Sequence, residues 1–156
     1  MTARRLGALL CAAMLVVLAG CGQSSGGTPD LAKLPLPPGA QITLKVQRCD
    51  KGANAFCAWE LVVTSTKAAS AEALVKQEHA LLLKNGWTGA NAETGEQHAA
   101  DSHTHKLRVT YATALGDLKG IDLGWIKRSR TVTLALSRAL FAHAAAMSML
   151  LEAGAS

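Results

Sequence analysis

The chain has 156 residues, 49% of them hydrophobic and 17% charged, and a formal net charge of +5 at pH 7. This length is enough for one domain with a single modest core. The lysines and arginines form no dense block, and aromatic residues make up only 4% of the chain, so the composition argues against nucleic-acid binding.

The first 20 residues have the pattern of an export signal. Arg4 and Arg5 precede an almost wholly apolar run, Leu6 to Leu18, and small residues then lead into Cys21. The apolar run is too short to cross a bilayer core of about 30 Å, so it predicts a cleaved signal peptide over residues 1–20. Because Arg4 and Arg5 leave with that segment, the formal net charge falls from +5 to +3.

The junction Leu18-Ala19-Gly20-Cys21 resembles the lipobox of bacterial lipoproteins. The resemblance implies cleavage between Gly20 and Cys21 and a diacylglyceryl group, with fatty chains such as palmitate, on the Cys21 sulfur. It further implies an extracytoplasmic protein held on the bacterial cell membrane by its N-terminal lipid, with the leaflet left open. The alternative is an ordinary secretory signal in which Cys21 is incidental.

The remaining cysteines predict a disulfide. Cys11 leaves with the signal and Cys21 carries the lipid, so Cys49 and Cys57 are left in an exported chain. An extracytoplasmic compartment permits their oxidation. Two free thiols or a two-ligand metal site are the alternatives, but structural zinc sites take four ligands and the chain has no second cysteine pair.

Composition divides the mature chain into a tether and a domain. Residues 22–28 are rich in Gly and Ser, and four prolines follow between positions 29 and 38. We therefore predict a flexible, Pro-rich tether over 21–39, starting at the lipidated cysteine, and a single globular domain over 40–156.

The first half of the domain predicts a hairpin and a helix. Ile42, Leu44 and Val46 alternate with polar residues, and a second alternating run extends from Cys57 to Val63. A helix is predicted to begin after Ser70 and to end at Gly86 in a Schellman-type cap, with Trp87 packing back on Leu82. A polar loop is predicted from Thr88 to Thr104.

In the second half, Leu107, Val109 and Tyr111 predict a third strand. Residues 132–136 predict a fourth, and a final helix is predicted from a cap at Ser137 to Glu152. The resulting order, ββαββα, predicts an α+β fold of two layers. Its four-stranded, mainly antiparallel sheet would carry both helices on one face.

The predicted polar loop concentrates three of the five histidines. His103 and His105 are two residues apart and would point to the same side of an extended chain. Imidazole and carboxylate groups suit zinc or copper, so this loop is the candidate metal site, and a solvated loop without a ligand is the alternative. The candidate ligands are Glu96, His98, Asp101, His103 and His105.

A cation-rich stretch near the start of the predicted fourth strand is a candidate contact for anionic lipid head groups. It consists of Lys127, Arg128 and Arg130 beside Trp125. A strand edge protected by charge is the alternative.

Catalytic motifs are not recognisable in the sequence: it has no nucleophile elbow, no phosphate-binding glycine loop and no Cys-x-x-Cys. The leading hypothesis is therefore a lipoprotein whose small domain binds an envelope protein or a small ligand, without catalysis and without a cofactor. The alternatives are extracytoplasmic metal handling through the Glu96–His105 loop and, least favoured, an enzyme of the cell envelope.

Overall fold

A computed structural model describes residues 27–49, 56–90, 97–120, 123 and 127–154. These residues form one six-stranded antiparallel sheet, three helices and a short 3-10 turn at Leu31–Lys33. The strand order is β1-β2-β6-β5-β4-β3. The elements are β1 (Ala40–Cys49), β2 (Cys57–Ser65), α1 (Ala71–Lys84), β3 (Thr88–Ala90), β4 (His98–Ser102), β5 (Leu107–Thr113), α2 (Ala114–Leu118), α3 (Arg130–Phe141) and β6 (Ala145–Ala153).

The α+β class and the antiparallel sheet agree with the prediction, but the layer arrangement does not. The sheet has six strands instead of four, and helices cover both of its faces. Helix α1 packs on one face with Leu74 and Leu82, whereas α3 packs on the other with Val132 and Leu136. We refer to these as the α1 face and the α3 face.

A bulge at Thr43 lets β1 contribute to both faces. Ile42 pairs with Val63, but the next paired residue is Leu44, opposite Val62. The extra residue shifts the side-chain alternation by one, as a β-bulge does. Ile42 therefore packs on the α1 face, while Leu44 and Val46 pack on the α3 face. The strand was predicted to direct all three toward a single core.

Both ends of helix α1 follow the prediction. The Ser70 hydroxyl accepts a hydrogen bond of 3.1 Å from the Ala73 N–H. At the other end Gly86 adopts a φ of 79°, and the Trp87 N–H donates to the Leu82 carbonyl over 3.1 Å. This bond closes a Schellman motif. Trp87 is buried in the same cluster as Leu82, so its predicted role in the core is confirmed.

The last two elements were predicted the wrong way round. Residues 130–141, predicted to contain a strand, form helix α3, and its N-cap is Ser129. Ser137, predicted to cap the final helix, lies inside α3, and residues 145–153 form strand β6. Val132 and Leu136 are four apart and face the core together, as on a helix. Strand β6 lies at the centre of the sheet and is buried on both sides, so its apolar run has no polar alternation. Such a run imitates a buried helix.

The segment predicted as a polar loop contains the short strands β3 and β4. Strand β4 pairs with β5 and β3 pairs with β4, so both extend the sheet beyond β5. Ala99 and Ala100 of β4 are buried.

The chain N-terminal to β1 packs against the sheet. The Trp59 indole N–H donates to the Pro29 carbonyl over 2.9 Å, and the Gln47 side-chain amide donates to the Thr28 hydroxyl over 2.9 Å. Leu34 is buried in the core of the α1 face. The packed part of the protein therefore begins before the boundary expected at residue 40. The predicted signal, the lipobox and Cys21 lie outside the described residues.

Cys49 and Cys57 form the predicted disulfide. They face each other at the ends of β1 and β2, with their sulfur atoms 2.09 Å apart. A ring of this size stabilises the fold by about 2–3 kcal/mol through loop-closure entropy.

Candidate functional site

A cleft of about 280 Å³ opens between α1 and α2, at the end of the sheet where β5 leads into α2. Helix α1 contributes three residues at helical spacing, β4 contributes one, and the β5–α2 junction contributes the rest. The lining residues are Glu72, Val75, Lys76, His98, Thr113, Leu115, Gly116 and Lys119.

Local structure determines the shape of the cleft on the α2 side. Thr113 ends β5 and caps α2, because its hydroxyl accepts a hydrogen bond of 3.0 Å from the Gly116 N–H. The chain therefore turns directly from strand to helix. This turn brings Leu115 and Lys119 beside the first turns of α1.

Two aromatic side chains support His98 from behind. His98 lies opposite Tyr111 in the β4–β5 ladder, and the two rings stack with centroids 5.7 Å apart. His79 of α1 completes the group, with its ring centroid 5.5 Å from that of His98. The His79 Nδ1 atom lies 2.8 Å from the Tyr111 hydroxyl. When Tyr111 donates this bond, His79 carries its proton on Nε2.

Glu78 is buried beneath this aromatic group. It has no exposed surface and lies on the apolar stripe of α1, four residues after Leu74 and four before Leu82. Neither carboxyl oxygen has a hydrogen-bond partner among the described residues. Burial raises the pKa of Glu78 to about 8, so the carboxyl group is protonated at neutral pH.

The same burial keeps the neighbouring groups uncharged. Burial and the nearby Glu78 raise the pKa of Tyr111, and burial together with His79 lowers the pKa of His98. His98 is therefore neutral at pH 7. Charge at the cleft comes from Lys76 and Lys119, opposed by Glu72, whose pKa is lowered by backbone and Ser70 hydrogen bonds and by Lys76. The cleft combines a cationic rim with an uncharged floor.

The structure does not bring the predicted metal ligands together. His98 lines the cleft on the α1 face, whereas Asp101, three residues later, pairs with Arg108 on the other face at 3.8 Å. His103 and His105 lie exposed in the turn after β4, so they do not share one side of an extended chain as predicted. Glu96 lies outside the described residues. Among the described residues, no three His, Cys, Asp or Glu side chains are grouped closely enough to hold a metal ion.

Apart from His98, no residue of the site was identified from sequence, and those missed include Lys76, Glu78, His79, Tyr111 and Lys119. Glu78 alone carried a readable signal, since a carboxylate midway between Leu74 and Leu82 interrupts an apolar stripe. His79 is adjacent to Glu78 in the sequence, and adjacent residues on a helix do not share a face, so the sequence does not connect the two. The actual partner of His79, Tyr111, belongs to a strand 32 residues away.

A second polar cluster lies on the α3 face and supports the fold. The Arg128 guanidinium donates to the Asp117 carboxylate, joining the chain before α3 to α2. The Glu60 carboxylate accepts from the Ser129 N–H over 3.2 Å at the start of α3. Arg128, first considered for a lipid-facing patch, is therefore held in an internal ion pair.

In comparisons with known proteins, no family model, no curated protein and no solved structure matches this chain. None of the helices among the described residues has the length and hydropathy that crossing a bilayer requires.

Proposed function

We propose that this chain is an extracytoplasmic, lipid-anchored protein whose domain binds a small amphiphilic anion in the cleft above His98. The observation that carries the binding function is the cleft itself, with two lysines at its rim and a rigidly supported histidine on its floor. Convergent polar groups in an otherwise apolar concavity are the usual form of a ligand site.

The lining residues suit a ligand with one acidic group and a short apolar part. Lys76 and Lys119 provide positive charge for the acid, and Val75 and Leu115 provide apolar contact. His98 has a ring nitrogen available for a neutral hydrogen bond, since its contacts with Tyr111 and His79 are between rings. A carboxylate on a short hydrocarbon chain has a negative charge for the lysines, an apolar part for Val75 and Leu115, and an oxygen that can accept a hydrogen bond from His98.

Binding fits the site better than catalysis. Tyr111 and Glu78, which have strongly displaced pKa values, have no exposed surface with which to touch a substrate. A general acid or base must reach the reacting atom within hydrogen-bond distance. Tyr111 instead holds His79 through its hydroxyl and stacks on the ring of His98.

Replacing both rim lysines, Lys76→Gln with Lys119→Gln, is expected to weaken octanoate binding by about three- to ten-fold, because partly exposed charge pairs contribute modestly. Titration followed by the backbone amide signals of Val75, Thr113 and Gly116 measures the affinity. Lys84→Gln, on the same helix but outside the cleft, is the matched control.

The affinity for octanoate should rise as the pH falls below the lowered pKa of His98, since the imidazolium then attracts the anion. The absence of amide shifts around the cleft would contradict the proposed site.

The lipid anchor is supported by the lipobox sequence and by the Cys49–Cys57 disulfide, which suits an oxidising compartment. Mass spectrometry of the protein from a bacterial host is expected to show a chain that begins at Cys21 and carries diacylglycerol. Cys21→Ala should abolish the added mass and block cleavage after Gly20. Cys11→Ala, within the signal, should change neither. A mature chain that begins elsewhere, without lipid, would exclude the anchor.

A further inference from the structure

Helix α3 presents a solvent-facing stripe that the fold does not use. Arg130, Leu134, Arg138 and Phe141 lie within roughly 80° of one another on the helix, opposite the buried Val132 and Leu136. Leu134 is 49% exposed and Phe141 is 91% exposed. We call these four residues the outer stripe. Two large apolar side chains this open on one helix face suggest a surface that is covered in use.

The charge along the segment that carries the outer stripe has one sign. From Lys127 to Leu151 the sequence contains no Asp or Glu, while Lys127, Arg130 and Arg138 are all exposed. Arg128 already pairs with Asp117, so it does not add to this field. A cationic helix face with exposed Phe and Leu complements a surface that is anionic outside and apolar beneath, which describes the headgroup layer of a bilayer.

The tether is long enough to allow this orientation. Seven residue steps separate Cys21 from Thr28, which can span at most about 25 Å. Thr28 lies on the α1 face, where its hydroxyl meets Gln47. The outer surface of α3 lies about 15 Å from the sheet on the other side, from a layer spacing of about 10 Å and a helix radius of about 5 Å. The path from Thr28 also includes its own distance above the sheet on the α1 face, so the chain can pass the β1 edge and reach the membrane when it is nearly fully extended.

We propose that the outer stripe of α3 lies on the anionic headgroup layer of the membrane, with Phe141 and Leu134 inserted at the acyl boundary and Arg130 and Arg138 bound to lipid phosphates. This inference rests on the proposed lipid anchor, which holds the domain beside the bilayer. The cleft lies between α1 and α2 at the end of the sheet, and no residue of the outer stripe lines it.

The test uses the lipidated full chain with an environment-sensitive fluorophore at Ala142→Cys, an exposed position beside Phe141. Ala80→Cys, an exposed alanine of α1, is the matched control. Vesicles contain either phosphatidylcholine alone or an equal mixture with phosphatidylglycerol, and a brominated acyl chain serves as quencher. Quenching at position 142 on the anionic vesicles, with little at position 80, supports the proposal.

Two further measurements separate the possible failures. Arg130→Glu with Arg138→Glu should reduce quenching at position 142 roughly five-fold or more, whereas Lys67→Glu with Lys84→Glu makes the same charge change elsewhere and should not. Flotation on neutral vesicles reports the lipid anchor alone. A chain that floats but shows no quenching at position 142 overturns the stripe proposal and leaves a protein as its partner. A chain that does not float overturns the anchor, and quenching on excess anionic vesicles then still decides the stripe.

Discussion

Replacing Glu78 with leucine is expected to abolish a loss of about 4 kcal/mol in the free energy of unfolding between about pH 5 and pH 9. The folded protein holds a proton on Glu78 up to a pKa of about 8, whereas the unfolded chain releases it near 4.5. Between these values the native state binds more protons, so stability falls as the pH rises. Each pKa unit corresponds to about 1.4 kcal/mol. Urea unfolding of both proteins at about pH 5 and about pH 9 measures the difference.

Subtracting the two proteins isolates Glu78, because every other titrating group is common to both. The gain from leucine should be largest above pH 8, where the wild-type carboxylate is charged and buried between Leu74 and Leu82. Glu78→Gln is the control that removes the charge but keeps a polar group of the same shape. It should flatten the pH dependence as leucine does, with a smaller gain in stability. Equal slopes in all three proteins would contradict the assigned pKa.

Replacing Leu136 with alanine is expected to destabilise the protein by about 2–5 kcal/mol, while Leu134→Ala should change stability by less than about 1 kcal/mol. Leu136 has no exposed surface on the inner side of α3, whereas Leu134 is 49% exposed on the outer side. Chemical denaturation of the two variants at one pH provides the comparison.

The pair also tests the secondary structure of this segment. In a strand, residues two apart point to the same face and both substitutions would have similar effects. In a helix they differ by about 200°, so only one of them reaches the core. Similar losses for Leu134→Ala and Leu136→Ala would support the strand first predicted for residues 132–136 and contradict α3.

Where a local interaction determines the structure, the sequence predicted it correctly. The Ser70 cap, the Gly86 turn with Trp87 and the Cys49–Cys57 pairing each depend on residues within about ten positions of one another. Strand β6 and helix α3 were exchanged because burial on both faces is a property of position in the sheet. Alternation reports burial on one face alone, so the run from Ala145 to Leu151 could not reveal its place at the centre.

The candidate site was predicted only at His98, and for a different chemistry. The neighbouring acidic and histidine residues suggested a metal site, but the register of β4 with β5 turns His98 toward Tyr111 and Asp101 toward Arg108. Register depends on which strands meet, and a strand shifted by one residue exposes its other face. The cleft forms where α1, β4 and α2 meet, and no sequence pattern within one of these elements indicates that meeting.

Strand β6 is the last of the described elements in chain order, yet it lies between β2 and β5. Before residues 145–153 have been synthesised, the β1–β2 hairpin and the β3–β5 meander cannot join, because β6 is the strand that pairs with both. Joining them requires β6 to pair with β2 residues that lie 80 to 94 positions earlier in the chain, and such distant contacts slow folding. On the proposed secretion route, this slow step would leave the polypeptide unfolded while it crosses the translocation channel, and the sheet would be completed on the far side.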